Sequence, residues 1–428
     1  MEKFDAIVVG GGPAGCASAI TMARGGLDVL LFERGKYAGA KSMWGGAFFG
    51  PQLNDLFPDF WKEAPIERFV TRHVISFLTE RGSTAVDFKS ARFRTSPYHG
   101  FILLRARFDN WLSKKAEQAG AIVATGMLVE DLLFKEGRVA GVKLGKEEFL
   151  ADVVILAEGV NSLLAKKAGL RKDFSAGDMK QGVKEVIELP RKVIEERFNL
   201  TGDEGAAMEF VGVCTRGIPG GGFLYTNKES LSVGLVVELG ALAATRLKAS
   251  DLLEGFKNHP DIRPLIEGGK TVEYSAHLIP VSGLGMMPGL QTDGLMVTGD
   301  AAALLLGTGL ILEGANFAMA SGIAAAQTAL MAKEKNDFSM AVLSHYEQAL
   351  KESFVLKDLN TFRGAPAFLK NRRIYNVYPE VVFEVLEKIL ESDGRPRKRT
   401  FGIVKDVLKK RISMTQLLSD VWKMRKAI

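Results

Sequence analysis

The sequence predicts an α/β chain, α+β overall: a parallel-sheet unit interleaved with a second, sheet-based domain and followed by a helical C-terminal region. Three observations predict it. The opening segment runs strand, glycine turn, helix, strand. Two later segments, DVVILAEG from Asp152 and GLMVTGDAAA from Gly294, are continuous apolar strands of the kind buried on both faces. Between them, from roughly Asp178 to Pro280, the chain changes to strands punctuated by glycine turns.

In order along the chain, FDAIVV at Phe4 to Val9 is the first strand, GGGPAG at Gly10 to Gly15 the turn, CASAITMARGG the helix and DVLLFER the second strand. FDNWLSKKAEQA, Phe108 to Ala119, has helical spacing, ends at Gly120 and leads to a strand near Ile122. MLVEDLLF and RVAGVKL, joined by KEG, read as an antiparallel hairpin. GGGFLYTN, SLSVGLVVEL and TVEYSAHLIP are the strands of the second domain, an Ala-rich helix runs from about Gly314 to Met331, and helical patterns dominate from Phe338. These signals assign residues 1–75, 100–175 and 283–335 to the first unit, 76–99 and 176–282 to the second, and 336–428 to the helical region.

With 428 residues, 47% hydrophobic and 25% charged, the chain is long enough to bury a sizeable core. Its only cysteines, Cys16 and Cys214, exclude a disulfide framework, a CxxC dithiol and a four-thiolate metal or iron–sulfur site of its own. No apolar run reaches the roughly 20 residues of a spanning helix; the best, Ala301 to Leu312, contains glycines and is followed by Glu313. The start of the chain lacks a secretory pattern, so an intracellular, cytoplasmic protein is expected. The formal charge of +6 is uneven: Arg395 to Ile428 carries eleven Lys or Arg against two Asp, +9 there and −3 elsewhere. A basic excess confined to one end fits either a solvated helix face or a surface for an acidic protein or anionic lipid, and not a nucleic-acid-binding body.

The chemistry sits in three separated segments. In GGGPAG, Gly10 permits the tight turn, Gly12 lets backbone approach a pyrophosphate and Gly15 lets helix and strand pack closely, with Pro13 and Ala14 opening the helix at whose N-terminus the phosphates sit. Glu33, 18 residues after Gly15, ends the next strand, where an acid accepts from ribose hydroxyls and disfavours a 2′-phosphate. That half fits FAD or NAD. The downstream segments favour FAD: Asp300, after Gly299, can hold ribityl hydroxyls, while Gly307, Gly309 and Gly314 leave room for an isoalloxazine and bring a helix N-terminus to its pyrimidine edge. Ala157 and Gly159, in AEGVNS, follow a strand at the position of an AxG turn. Arg105, just ahead of FDNWL, is either a flavin contact or a surface arginine at a helix start. His277 fits a structural hydrogen bond or a proton relay.

GGGPAG, AEG and GD together resemble the glutathione-reductase-like flavoproteins, a group that includes aromatic hydroxylases, geranylgeranyl reductases and electron-transfer-flavoprotein:quinone oxidoreductases. The narrower resemblance is to the last of these in its FixC form. It rests on GAKSMWGG at Gly39 to Gly46, APIERFV at Ala64 to Val70, LRARFDNWL at Leu104 to Leu112, GGGFLYTN at Gly220 to Asn227, EYSAHLIP at Glu273 to Pro280 and PAFLKN at Pro366 to Asn371. These cover nearly the whole chain in order.

The resemblance implies a glutathione-reductase-like FAD-binding Rossmann domain with a second domain for quinone. It implies further cofactor contacts at Arg34, Lys41, Gly45 and Gly46, and quinone contacts at Gly220 and Gly221 through backbone, with Phe223 and Tyr225 nearby; a plain glycine-rich strand entry is the other reading of Gly220 and Gly221. The implied activity is electron transfer from an electron-transfer flavoprotein to a membrane quinone. Larger members of that family carry a cysteine-bound iron–sulfur cluster that a chain with two cysteines cannot hold, so the resemblance to FixC-type proteins implies a separate small ferredoxin-like subunit as partner. Glu313 departs from the basic residue expected there. A lipid-borne quinone implies peripheral or monotopic contact with the inner face of the cell membrane. Two stretches are candidates: Phe48, Phe49, Leu53, Leu56, Phe57, Phe60 and Trp61, whose other reading is core, and the basic tail from Ile403. Two other functions share this framework, an NAD(P)H-dependent reductase or hydroxylase and a non-catalytic flavin-containing assembly subunit. The single GxGxxG argues against the first.

Overall fold

In the computed structural model, which describes residues 2–41, 43, 45–281, 283–309 and 311–428, the strand Lys3–Val9 lies at the centre of a largely parallel sheet. Glu147–Leu156 flanks it on one side and Val29–Glu33 on the other, with Leu295–Val297 and Ile122–Thr125 further out. Ala6, Ile7 and Val8 are fully buried, which is why these strands read as unbroken apolar runs: the helix Pro13–Arg24 packs on them, and Leu132, Val139 and Val142, with Phe149 against Phe32, join the same core. The expected hairpin, Asp131–Lys135 with Arg138–Leu144, extends this sheet antiparallel from Glu147–Leu156.

Two helices bring the distant motifs together. Pro13–Arg24 packs on Ala315–Lys335 so closely that a Cβ on Gly322 would lie 2.2 Å from the carbonyl oxygen of Ala14. Ser18 Oγ bonds the Gly322 carbonyl at 3.0 Å, and Ser321 Oγ accepts from the Gly299 amide at 2.9 Å. Small residues at the crossing hold Gly299 and Asp300 against the start of the first helix.

The second sheet runs Lys270–Pro280, Met179–Glu188, Ser230–Glu238, Gly220–Thr226, Glu204–Gly212, Ile66–Thr79, Gly100–Leu103 and Ala47–Phe49, with Gly82–Lys89 paired to Ile66–Thr79. One face packs on the helix Ala249–Lys257 through Leu224, Leu235 and Phe256; the other faces the first sheet's loops. The boundary expected at 75/76 falls inside the strand Ile66–Thr79, and Ala47–Phe49 and Gly100–Leu103 also join the second sheet. Arg68 fixes this junction. Fully buried, it donates to the carbonyls of Asn227 (2.8 Å), Gly202 (2.9 Å) and Glu204 (3.0 Å).

Phe48, Leu53 and Phe60 are buried, and Phe60 lies 4.7 Å from Phe101. The aromatic stretch is therefore core and not a membrane-facing surface. The C-terminal helices Tyr378–Leu390, Thr400–Arg411 and Met414–Ala427 are tethered by two buried carboxylates. Glu384 pairs with Lys388 (3.2 Å) and Arg411 (2.8 Å), and Asp420 with Arg373 (2.6 Å) and the Tyr378 hydroxyl (2.6 Å). No helix among the described residues is long and apolar enough to cross a membrane.

Candidate functional site

The glycine turn performs three separate jobs. At Gly10, φ is +110° and a Cβ would sit 2.3 Å from the Ala157 carbonyl oxygen, so the turn also needs close contact with the AEG segment. At Gly15 a Cβ would meet the Gly10 oxygen at 1.9 Å, which is the helix–strand packing. At Gly12 the nearest atom to an added Cβ is Arg105 Nη2, 3.4 Å away, and the residue faces a cavity.

That cavity is a half-open cleft between the two sheets, about 1110 Å³ when the space open to solvent is included. From the first unit its wall takes Gly12, Pro13, Ala14, Arg105, Ala157 and Gly159. Gly299, Asp300 and Gly314 close the far side, Gly45 and Gly46 one end, and the second sheet contributes Phe223 and Tyr225. Ser42 and Trp44, of the same GAKSMWGG segment as Gly45 and Gly46, lie outside the described residues.

Other expected residues stand behind the wall. Glu33 accepts from the amides of Gly11 (2.9 Å) and Gly35 (2.6 Å), fixing the loop that follows its strand. Arg34 and Lys41 are outside the lining, although the charge of Arg34 reaches His277. Gly309 (φ +95°) packs against Leu369, a Cβ there meeting Cδ2 at 2.7 Å. Gly220 and Gly221, expected as quinone contacts, are not in the lining: a Cβ would meet the Val236 oxygen at 2.1 Å or the Phe210 oxygen at 2.8 Å. Close strand approach excludes a side chain at either position. Glu158 likewise turns inward, accepting from the amides of Leu164 and Ala165.

Arg105 is held for its place. Its Nε donates to Asp109 Oδ2 at 2.7 Å and its Nη1 to the Met43 carbonyl at 3.2 Å. Asp109 is fully buried, burial pushes its carboxyl up, Arg105 opposes that, and its Oδ1 has no hydrogen-bond partner among the described residues. Asp300 lines the cavity with no side-chain hydrogen bond among the described residues; burial raises its pKa while Arg105 and Arg171 pull it down. Burial, then Arg105 and Arg34, push His277 down to about 4, so a neutral imidazole faces the cavity.

Sequence reasoning missed Arg171, Gly182 and Asp109. Arg171 bonds Ser162 Oγ (2.8 Å) and the Ala301 carbonyl, tying the AEG turn to the segment after Asp300; burial lowers its pKa to about 10. Its only signal was its position after the AEG strand. Gly182 gives the cavity room opposite His277, its strand partner. Glu313 accepts from Asn316 and burial pushes it up.

The residues present fit an extended anionic dinucleotide. A 12-residue helix points its N-terminus, opened by Gly12, at the cavity; Arg105 supplies a cation beside it, and Asp300 a carboxylate acceptor across from it.

Three family models match the chain: FAD dependent oxidoreductase over residues 5–206, ETF-QO, ubiquinone-binding over 180–279, and the ETF-QO/FixC family C-terminal domain over 365–428. The chain is 44% identical over 419 residues to the probable electron transfer flavoprotein-quinone oxidoreductase YdiS of Escherichia coli, covering 98% of this chain and 97% of that protein. It is 43% identical over 393 residues to protein FixC of Salmonella typhi, 92% of each chain being covered. Among solved structures, a geranylgeranyl bacteriochlorophyll reductase-like protein from Thermoplasma acidophilum superimposes with a TM-score of 0.75 at 22% identity, over 99% of this chain and 100% of that one. The myxobacterial halogenase CndH gives 0.67 at 18%, over 96% and 97%. At these identities the two structures show the shared fold alone. The cofactor is FAD.

Proposed function

From the premise that this chain belongs to the ETF-QO/FixC family and is an FAD-dependent oxidoreductase, we propose that it accepts electrons from an electron-transfer flavoprotein and reduces a membrane quinone, as one subunit of a larger complex. The observation that carries this reading is the continuity of one cavity. Part of its lining is the dinucleotide cradle of Gly12, Arg105, Gly299 and Asp300, and another part is aromatic, Phe223 over Gly234 and Tyr225 against Gly45. An apolar wall with few polar groups suits a quinone ring.

FAD bound here supplies reversible two-electron redox chemistry. The chain's residues bind and orient. The amide end of Pro13–Arg24 and Arg105 would take the pyrophosphate, Glu33 the adenosine ribose and Asp300 the ribityl hydroxyls. Gly314, capping Ala315–Lys335, brings a second helix N-terminus, positive in its field, to the cavity. Ala157, Gly159, Gly45 and Gly46 leave space along the ring system. Phe223 and Tyr225, stacked at 5.2 Å between centroids, would face the quinone.

Both cysteines are buried at separate places, Cys16 in the first helix and Cys214 after the strand Glu204–Gly212. We therefore assign any iron–sulfur relay to a separate ferredoxin-like subunit. Exposed Phe401, Leu418 and Trp422 among the tail's lysines and arginines support a peripheral contact with anionic lipid at the inner face of the membrane. The test is steady-state: an FAD-loaded chain with its ferredoxin-like subunit, a reduced electron-transfer flavoprotein and decylubiquinone should together form quinol, and omission of the chain should abolish it. No quinol formation by the complete mixture refutes the reading.

A further inference from the structure

On the cavity side of the second sheet, Ala207 pairs with Tyr225 on one neighbouring strand and with His73 on the other. Glu209, two residues on, points to the same face and pairs with Phe223 and Ile75. It is thus the diagonal neighbour of both Tyr225 and His73, beside the small buried Ala207. Tyr225 lines the cavity. His73 lies 6.0 Å, ring to ring, from His99, which is exposed and stacked on Phe93 at 4.2 Å.

We propose that Glu209, supplied from solvent through His99 and His73, feeds protons through the Tyr225 hydroxyl to the quinone reduced at the Phe223 and Tyr225 wall. The proposal rests on the quinone-reducing reading above. Reduction of a quinone to a hydroquinone turns two C=O groups into C–O–H groups, so two electrons and two protons enter. The electrons come from the reduced electron-transfer flavoprotein. For each proton, the Tyr225 O–H gives its hydrogen to a quinone oxygen as the Glu209 carboxyl gives its own to the Tyr225 oxygen; the Glu209 carboxylate then regains a proton from one nitrogen of His73 as the other nitrogen accepts one from water by way of His99.

Three features support a relay over a structural carboxyl. Glu209 has no hydrogen-bond or ion-pair partner among the described residues, whereas Glu384 and Asp420 each hold cations. Glu209 is half-buried, and desolvation raises its carboxyl to about 8, so it holds a proton more readily than a free glutamate does. Of the elements packed on its strand, Gly220–Thr226 presents Tyr225 and Ile66–Thr79 presents His73; Arg373, on the adjoining helix Arg373–Asn376, is paired with Asp420. His73 is kept neutral by burial and by His99, and its Nε2 is buried with no hydrogen-bond partner among the described residues. A neutral imidazole beside a protonated carboxyl can accept and donate in turn.

The FAD-loaded full chain, reduced photochemically without oxygen, is mixed with decylubiquinone or with ferricyanide, which takes electrons without protons. Glu209→Gln should lower the ratio of quinone to ferricyanide rates roughly 100-fold, with quinone KM little changed, the pH profile flattened and Glu209→Asp recovering part of the loss. His73→Phe should lose less, and its deficit should shrink as pH falls. Infrared spectra of the resting protein at neutral pH should show a protonated-carboxyl band that Glu209→Gln removes. A wild-type chain that reduces quinone while Glu209→Gln keeps its rate ratio at every pH, or the absence of that band, overturns the relay alone. A wild-type chain that reduces no quinone overturns the parent reading and the relay together.

Discussion

Arg105 and Asp109, one helical turn apart, form a 2.7 Å ion pair whose acid is fully buried and whose guanidinium stands 3.4 Å from where a side chain on Gly12 would begin. The acid faces away from solvent and the cation faces the cavity, so the pair orients a charge for a ligand. Asp109→Asn keeps the shape but removes the charge that fixes Arg105. FAD affinity should fall about tenfold, or about 1.4 kcal/mol, by titration of the apoprotein, while Arg105→Lys, which cannot reproduce the fork, should lose at least as much.

The glycine turn separates binding from folding. Gly12→Ala adds a methyl to the cavity with no backbone clash, so FAD binding should weaken while the apoprotein's melting temperature holds. Gly15→Ala would drive its Cβ to within 1.9 Å of the Gly10 oxygen. That variant should lose about 2 kcal/mol of stability by denaturant unfolding, with or without cofactor.

Phe223 lies over Gly234, where a Cβ would sit 2.3 Å from the ring. The same Cβ would sit 2.5 Å from the Val183 carbonyl oxygen, so Gly234→Ala should move both ring and strand, raising quinone KM severalfold and lowering the melting temperature.

The tail's anchorage depends on pH with a definite sign. Arg373 above all, and the Tyr378 hydroxyl, hold the Asp420 carboxyl down to about 2, below the ordinary aspartate value of about 3.9. A depressed folded pKa means that the stabilisation is complete above the unfolded value and drains away as pH falls from about 4 to about 2. Asp420→Asn should remove about 2 kcal/mol at neutral pH and abolish that acid sensitivity. Proteolysis of the Met414–Ala427 helix as a function of pH reads it.

What the sequence made legible was local. Gly10, Gly12 and Gly15 are read from spacing because each acts within a few residues of itself, and Asp300 because an acid closing an apolar strand is unusual. Asp109 looked like one more polar residue on a helix; its burial depends on a loop 60 and more residues earlier, at Gly39 and Met43. The strand Ile66–Thr79 was cut at 75 because its partners, Glu204–Gly212 and Gly82–Lys89, are set by register across the sheet. Gly220 and Gly221 carry two readings in the sequence, backbone contact with a quinone and a glycine-rich strand entry, and the neighbouring strands leave no room for a side chain at either. Glu209 carries no motif, and its meaning comes from Tyr225 and His73 on either side.

The measurement closest to the central claim follows the flavin's absorbance without oxygen. NADH or NADPH added to the purified FAD-loaded chain should leave the oxidised spectrum in place over minutes, a reduced electron-transfer flavoprotein should bleach it, and a quinone analogue should restore it. Rapid bleaching by NADH or NADPH alone would contradict the account.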